Sequence, residues 1–283
     1  MRGPAALLSS LVPSALGCGA VMAGCGLTAD WNGIQNGSVD AGGGVHGPDA
    51  SGTTTKQGED AATSNPPPPP PTFCALHAAD NLCADFDEGE PIDTGWDSID
   101  TSGDGSGTVT LTPNAFSHPS AFQSSIFTLA DQASGRLMKM LPTQGSHVRM
   151  DFEMLFVSGP TNTTMELAVL HEYDAAQQNT YGVFLEDLNG ALEIVVKLVD
   201  QSQAPGPWML GAPPSGWTHF VIDVDVADSG SLTVVQDNNT VVSATNVPTS
   251  DDNRDTMFVE IGLYDFNAAA AQANFDNIVL DWQ

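Results

Sequence analysis

Basic residues are scarce in this sequence of 283 residues: seven Lys and Arg stand against 35 Asp and Glu, so the formal net charge is −28. The seven are spread along the chain from Arg2 to Arg254, and no basic patch can be built from them. Because proteins hold nucleic-acid phosphates through clustered Lys and Arg, this composition excludes a nucleic-acid partner. The negative charge also favours solubility and opposes docking of the folded part on anionic lipid.

The sequence also lacks the short motifs of several enzyme classes. It has no Gly-x-Ser-x-Gly elbow, no glycine-rich phosphate loop and no His-Glu-x-x-His metal motif. His171-Glu172 comes nearest to the last of these, but Tyr173-Asp174-Ala175 follows it. We therefore assign no catalytic residue from motifs and interpret single histidines such as His147 as ordinary strand residues.

No uninterrupted apolar run is long enough for a stable spanning helix, because Pro13 and a glycine cluster break the stretch from Ala5 to Ala23. This stretch, preceded by Arg2, is typical of a signal peptide over residues 1–24. It ends in Val21-Met22-Ala23-Gly24-Cys25, which resembles a bacterial lipobox, and Cys18 ends a poorer second copy. Lipidation of Cys25 predicts an exported lipoprotein of the outer membrane or cell surface, attached to the membrane through its lipid alone. Cleavage by an ordinary signal peptidase is the alternative.

Residues 25–72 contain little that could form a core. They are rich in Gly, Asp, Ser and Thr, have Trp31 as their only aromatic residue, and close with Pro66 to Pro71. Such a segment buries too little apolar surface to offset the entropy lost on ordering, and the prolines favour an extended polyproline II rod. We predict a disordered tether here and one globular domain over residues 73–283.

Only four cysteines are present, and two of them, Cys74 and Cys83, open the predicted domain with eight residues between them. In an exported chain a local disulfide is the simplest use of such a pair. A zinc site would need two further Cys or His ligands at matched spacing, which His77 alone does not supply.

After Cys83 the sequence alternates between apolar and polar residues with a period of two, and no long helical period competes with this pattern. Turn signals such as Asn189-Gly190 and Asp237-Asn238-Asn239 separate the runs. The predicted strands are Gly107 to Thr112, Ser125 to Leu129, Arg136 to Met140, Val148 to Val157, Met165 to Glu172, Tyr181 to Leu188, Leu192 to Val199, Thr218 to Val226, Ser231 to Gln236, Thr240 to Ala244, Met257 to Tyr264 and Ala273 to Trp282. A dozen short strands predict an all-β sandwich of the jelly-roll kind.

Several segments in order carry a family resemblance: Cys83-Ala-Asp-Phe-Asp87, Gly216-Trp-Thr-His-Phe-Val-Ile-Asp-Val224, Glu260-Ile-Gly-Leu263 and Asn274-Phe-Asp-Asn-Ile-Val-Leu-Asp281. Residues 73–283 resemble the laminin-G-like or concanavalin A-like jelly rolls of exported bacterial proteins. The resemblance implies two curved antiparallel sheets, pairing of the first and last strands, and recognition of a glycan or a protein partner.

One strand offers a possible carboxylate pair. Asp151 and Glu153 project from the same face, about 7 Å apart at the backbone, and retaining glycosidases hold two carboxyl groups about 5–5.5 Å apart. Laminarinase-like members of the superfamily use Glu-x-Asp-x-Glu on such a strand, but Arg149 replaces the first Glu here. We therefore interpret this face as solvated and charge-paired, with Val148, Met150, Phe152 and Met154 on the core side.

The paired chain ends implied by the resemblance would bring together four carboxylates: Asp85, Asp87, Asp276 and Asp281. Carboxylate oxygens suit Ca²⁺, and related jelly rolls often hold a structural calcium near such ends. A structural calcium ion is therefore a hypothesis for this site. Surface acids that bind no metal are the alternative, since acidic residues are abundant throughout.

Sugar recognition calls for aromatic side chains beside hydrogen-bonding groups. The candidate ligand-binding residues, placed in loops, are Tyr173, Asp174, Trp208 and Tyr264, while Trp217 and Trp282 are predicted to lie in the core. The expected function is therefore a non-catalytic, lectin-like module that binds a glycan or a surface protein. The alternatives are a glycoside hydrolase or lyase of the concanavalin A-like superfamily and a purely structural or adhesive domain.

Overall fold

The computed structural model describes residues 71–103, 107–127, 132–160, 163–174, 179–197, 205–250, 254–265 and 270–283, without the side chains of residues 174 and 179–181. The predicted signal peptide, the lipidation site Cys25 and all but the last two residues of the predicted tether lie outside these ranges. Within them, no helix is long and apolar enough to cross a membrane.

The described chain forms fifteen strands and one short helix. They are α1 (Phe73–Leu76), β1 (Leu82–Ala84), β2 (Ser98–Asp100), β3 (Gly107–Thr112), β4 (Ala121–Ile126), β5 (Ala133–Leu141), β6 (His147–Ser158), β7 (Thr164–Asp174), β8 (Asn179–Leu188), β9 (Ala191–Lys197), β10 (Trp208–Gly211), β11 (Thr218–Asp225), β12 (Gly230–Gln236), β13 (Asn239–Val247), β14 (Thr256–Asp265) and β15 (Ala271–Trp282). The predicted all-β sandwich is confirmed.

The strands form two antiparallel sheets. One has seven strands in the order β10-β9-β8-β7-β14-β5-β2, and the other has eight, in the order β13-β12-β11-β6-β15-β4-β3 with β1 added beside β15. All twelve predicted strands are present, β3 with the predicted ends and the others with one or both ends shifted, whereas β1, β2 and β10, of three or four residues each, were not predicted. Runs this short show too few periods of alternation to be recognised in the sequence.

The first and last strands pair, as the resemblance implied. Leu82 lies opposite Leu280 and Ala84 opposite Ile278. The predicted disulfide between Cys74 and Cys83 is present and ties α1 to β1. The beginning of the domain is therefore attached to its last strand.

The core lies between the sheets and follows the alternation of the strands. On β6, Val148, Met150, Phe152 and Met154 are buried while the residues between them are half-buried on the outer side, as predicted. Four fully buried phenylalanines, Phe122, Phe152, Phe220 and Phe275, pack in the eight-stranded sheet with ring centroids 5.4 to 6.1 Å apart. Their burial is a large apolar contribution to the stability of the sandwich.

Trp282 packs against this core as predicted, but the prediction for Trp217 is wrong. Strand β11 begins one residue later, at Thr218, whose side chain is buried. The alternation therefore turns Trp217 to the outer side, where its ring meets that of the exposed Phe116, with centroids 6.2 Å apart.

Candidate functional site

The outer face of the seven-stranded sheet carries a concentration of charged side chains. On each strand the residues between these charges, such as Leu137, Leu170 and Ile261, point into the core. We call this surface the charged face and define it by Arg136 of β5, Glu166 and His171 of β7, Glu186 of β8, Glu193 and Lys197 of β9, and Glu260 of β14. Charged groups are rarely buried unless paired, so their positions call for an explanation.

The strand register brings three acids of this face and Tyr264 into one row. Tyr264 lies opposite Glu166, Glu166 opposite Glu186, and Glu186 opposite Glu193. A β-bulge in β7 between Glu166 and Ala168 shifts the alternation by one residue. Because of this bulge, Glu166 and His171 both point outward although they are five residues apart.

Arg136 is the centre of an ionic network. Its Nη1 lies 2.6 Å from Oε2 of Glu260 and 3.6 Å from Oε2 of Glu166, and its Nη2 donates to Oδ2 of Asp100 at 3.0 Å. The guanidinium carbon lies 4.4 Å from the centre of the Tyr264 ring. Three carboxylates thus compensate one buried cation, which is the condition for burying charge at a tolerable cost.

Gly262 lies opposite Arg136 on β14, with a φ of +130°. A Cβ atom there would lie 2.3 Å from the carbonyl oxygen of Gly135 and 2.8 Å from Cα of Arg136. Only glycine allows β5 and β14 to approach this closely.

His171 has one nitrogen engaged and one without a partner. Its Nε2 lies 2.9 Å from Oε2 of Glu260, the same oxygen that Arg136 holds. Because that paired carboxylate is an acceptor, Nε2 carries a proton and donates it to Glu260. Nδ1 is buried and has no hydrogen-bond partner among the described residues.

Two aromatic rings fix the position of the imidazole. It stacks on Phe258 at a centroid distance of 4.8 Å and meets Phe184 edge-on at 5.1 Å. From the other side, Nζ of Lys197 lies 4.2 Å from the centre of the Phe184 ring. Phe184 therefore separates the imidazole from the lysine.

Lys197 connects this aromatic group to the row of acids. Its Nζ lies 2.5 Å from Oε2 of Glu186 and 3.3 Å from Oε1 of Glu166. Burial raises the pKa of Glu166, against the attraction of Lys197, His171 and Arg136. This carboxyl is therefore harder to ionise than a carboxyl in water.

Glu193 is the most strongly perturbed acid on the face. Burial, and then a hydrogen bond and like charge from Glu186, raise its pKa to about 7. The residue is 2% exposed, and one of its carboxyl oxygens, Oε2, has no hydrogen-bond partner among the described residues. Two neighbouring carboxyl groups, one of which has a pKa raised to about 7, make an arrangement that can donate and accept protons.

The structure brings two of the predicted ligand-binding residues to this surface. Tyr173 and Tyr264 lie in β7 and β14, not in loops, and Tyr264 stacks with Arg136. Trp208 is also not in a loop: it begins β10 opposite Ile194 and packs against the core. The side chain of Asp174 lies outside the described residues.

The four predicted metal ligands are distributed along the strand pair β1–β15. Asp85 accepts backbone N–H groups from Cys74 and Asp87, while Asp87 accepts one from Ser120. Asp281 lies farther along β15, opposite Arg149. Among the described residues, no three His, Cys, Asp or Glu side chains are grouped to hold a metal ion. Calcium binding stays a prediction.

Asp276 is the buried member of that set. Its Oδ2 accepts the N–H and the hydroxyl of Ser117, and its Oδ1 accepts the N–H of Asn277. Burial raises its pKa to about 6, and the charge of Asp87 contributes to this increase. The two carboxyl groups are therefore close enough to interact.

The carboxylate pair considered on β6 lies on the outer face of the other sheet. Asp151 accepts from Arg149 at 2.7 Å and lies 2.7 Å from His219 Nε2. Burial raises the pKa of Glu153, which stands beside them. The predicted charge pairing is present for Arg149 and Asp151, whereas Glu153 is half-buried and less solvated than predicted.

The charged face was not predicted from the sequence. Its signal is present, since Glu166, Glu186, Glu193 and Glu260 all interrupt strongly apolar strands. What the sequence does not show is the register that places them side by side.

Among the comparisons with known proteins, those with solved structures identify the fold. No protein-family model matches the chain, and no curated protein matches it. Among solved structures, it is similar to the endo-β-1,4-glucuronan lyase of the fungus Trichoderma reesei, with 14% identity and a TM-score of 0.57 over 72% of this chain and 96% of that one. It is also similar to the cellulose-induced protein Cip1, with 14% identity and a TM-score of 0.50 over 70% of this chain and 96% of that one. The domain has a concanavalin A-like jelly-roll fold.

Proposed function

We propose that this domain cleaves a polysaccharide bound across the charged face. The observation that carries the proposal is the buried carboxyl pair Glu193 and Glu186, in which one partner keeps its proton near neutral pH. A fold neighbour is by name a glucuronan lyase, so this fold is compatible with glycan cleavage. The proposal favours the enzymatic alternative over the lectin-like module.

Cleavage of a glycosidic bond needs one group that gives a proton to the leaving oxygen and one that takes a proton. Glu193 serves as the donor because a pKa of about 7 keeps it partly protonated at neutral pH. Glu186 serves as the acceptor, since it lies directly opposite Glu193 and its Oε2 is 2.5 Å from Nζ of Lys197. Neighbouring carboxyl groups in unlike surroundings commonly divide the roles of acid and base in this way.

A second candidate is non-catalytic glycan binding. It is favoured by Met209, which is 58% exposed and lies directly opposite Glu193. Tyr173 of β7 lies on the same face and is half-buried. These side chains provide apolar surface on which a sugar ring can pack without any chemistry.

The test is cleavage of a polysaccharide panel by the chain and by the variants Glu193→Gln and Glu186→Gln. New reducing ends report cleavage by either hydrolysis or elimination, and ultraviolet absorbance of an unsaturated product reports elimination alone. We expect each variant to lose about 10²- to 10⁴-fold in kcat, the usual contribution of a general acid or base. The parent activity should fall as pH rises through about 7, because Glu193 then loses its proton.

Glu153→Gln is the matched control, because it removes a half-buried carboxyl with a raised pKa from the opposite sheet. It should keep full activity. Binding without cleavage by the parent chain would support the lectin-like candidate instead, and equal losses in all three variants would contradict the assigned roles.

We further propose that the chain is exported and lipid-anchored at Cys25. The disulfide Cys74–Cys83 supports this, since such bonds persist in oxidising compartments. Lipid labelling of the full chain should be lost in Cys25→Ala and kept in Cys18→Ala.

A further inference from the structure

We infer that the charged face accepts a polysaccharide of neutral sugars and rejects polyuronates. The inference rests on the proposed function and narrows it to hydrolysis. It rests on the ion pairs that the cations of this face already form with carboxylates of the protein.

Both permanent cations on the face are held by carboxylates. Arg136 contacts Glu260, Glu166 and Asp100. Its Nε donates to Oγ of Ser134 at 3.1 Å. A uronate would have to displace one of these acids from the guanidinium.

The same holds for the lysine. Lys197 contacts both Glu186 and Glu166, at 2.5 and 3.3 Å. His171, which lacks a permanent charge, is held by Glu260. Each of these three side chains, Arg136, Lys197 and His171, is therefore already paired with a carboxylate of the protein.

The face also contains more acid than base. Asp100 and the four glutamates, Glu166, Glu186, Glu193 and Glu260, surround two permanent cations. The raised pKa of Glu193, partly caused by the charge of Glu186, indicates that the face resists a further negative charge. A uronate beside Glu193 would add the same repulsion, whereas an uncharged pyranose adds none.

A preference for neutral sugars decides between the two routes of cleavage, elimination and hydrolysis. Elimination removes a proton next to a sugar carboxylate and needs a cation or acid to stabilise the charge that develops there. A neutral sugar has no such carboxylate. In hydrolysis, a water oxygen bonds to the anomeric carbon as the glycosidic C–O bond breaks, Glu193 protonates the leaving oxygen, and Glu186, directly opposite Glu193, accepts the proton from water. The two groups then exchange a proton through solvent to restore the starting state.

The experiment measures binding of the full chain to neutral polysaccharides (a β-glucan, a xylan and a mannan) and to polyuronates (alginate and polygalacturonate). We expect at least one neutral polymer to bind about tenfold or more tightly than either polyuronate, a difference of about 1.4 kcal/mol. Raising the salt concentration should leave binding of the neutral polymer nearly unchanged, because no charge pair is formed.

The variant Glu186→Gln separates the effect of the local charge of this face on binding from the effect of the protein's net charge. It should strengthen binding of the polyuronates, while Glu153→Gln, which removes one acid from the opposite sheet, should not. Tight polyuronate binding by the parent chain, or binding of neither class, would overturn the inference.

Cleavage assays keep this failure distinct from that of the proposed function. An unsaturated product from a polyuronate would overturn the inference while supporting glycan cleavage. Selective binding of a neutral polymer without release of reducing ends would uphold the selectivity and count against cleavage.

Discussion

Arg136 and Arg149 are both paired with acids, but their surroundings differ. Arg136 is 7% exposed and serves three carboxylates, whereas the side chain of Arg149 is 42% exposed and lies on Asp151. Removing one partner of a buried charge pair leaves the other charges uncompensated, while an exposed pair is screened by water. The same substitution should therefore have very different costs at the two sites.

We predict that Arg136→Met lowers the free energy of unfolding by about 3–5 kcal/mol. Arg149→Met should lower it by less than about 1 kcal/mol. Urea denaturation of the two variants checks this. Similar losses in both would show that the Arg136 network contributes no more than a surface pair.

Glu193 makes stability depend on pH in a defined direction. Its pKa is raised from 4.5 to about 7 in the folded state, so between these values the folded chain binds more protons than the unfolded chain. Its contribution is therefore fully present below about pH 4.5 and is lost as pH rises through 7, on the order of 3 kcal/mol. Asp276, raised from 3.8 to about 6, acts in the same direction. Asp100, lowered to about 2, acts in the opposite direction and below pH 4.

We expect the free energy of unfolding to fall between pH 5 and pH 8, and to fall less in Glu193→Gln than in the parent chain. Urea denaturation at both pH values measures this. Parallel curves for parent and variant would mean that Glu193 ionises at its ordinary pKa.

The connection between α1 and β1 is short and covalently closed. Cys74 and Cys83 are nine positions apart, and β1 contributes only Leu82–Ala84 to the sheet. A strand of three residues gains little from its own pairing, so the disulfide restricts the unfolded chain where the ladder is weakest. The chain-entropy model gives about 2–3 kcal/mol for a loop of this length.

We predict that replacing both cysteines with serine lowers the free energy of unfolding by about that amount without abolishing the fold. Hydrogen exchange should show faster opening at β1, while β6 and β11 keep their protection. Uniform loss of protection would instead place β1 among the strands on which the whole sandwich depends.

Strand alternation could be predicted from the sequence, but the charged face could not. The pattern of β6, with Val148 and Met150 alternating with Arg149, is enough by itself to assign each residue to a side of the sheet. Alternation gives no information on which strands become neighbours. Arg136 meets Glu260 only because β5 lies beside β14, more than a hundred residues later in the chain. The β7 bulge, which turns Glu166 outward, interrupts the pattern on which the prediction depends.

The molecule as a whole carries a net charge of −28. Repulsion among like charges opposes the compact state and is screened by salt. Titration with NaCl should therefore raise the melting temperature, by about 2–4 °C for each kcal/mol gained. A decrease would show that salt weakens the internal ion pairs more than it relieves the repulsion.

The same titration with CaCl₂ at matched ionic strength tests the calcium hypothesis. A rise beyond that given by NaCl, abolished in Asp87→Asn, would support a site at the paired chain ends. Equal rises of the melting temperature with both salts would mean that charge screening alone causes the increase, and would contradict a calcium site there.

The pairing of β1 with β15 has a mechanical consequence. A pull that arrives at Phe73 crosses the Cys74–Cys83 bond and enters β1, and from there it passes to β15 through the Leu82–Leu280 pair. Strand β15 is itself bonded to β6 and β4. The load thus passes to the last strand of the chain, and a truncation that removes β15 would leave it to the backbone that leads from β1 to β2.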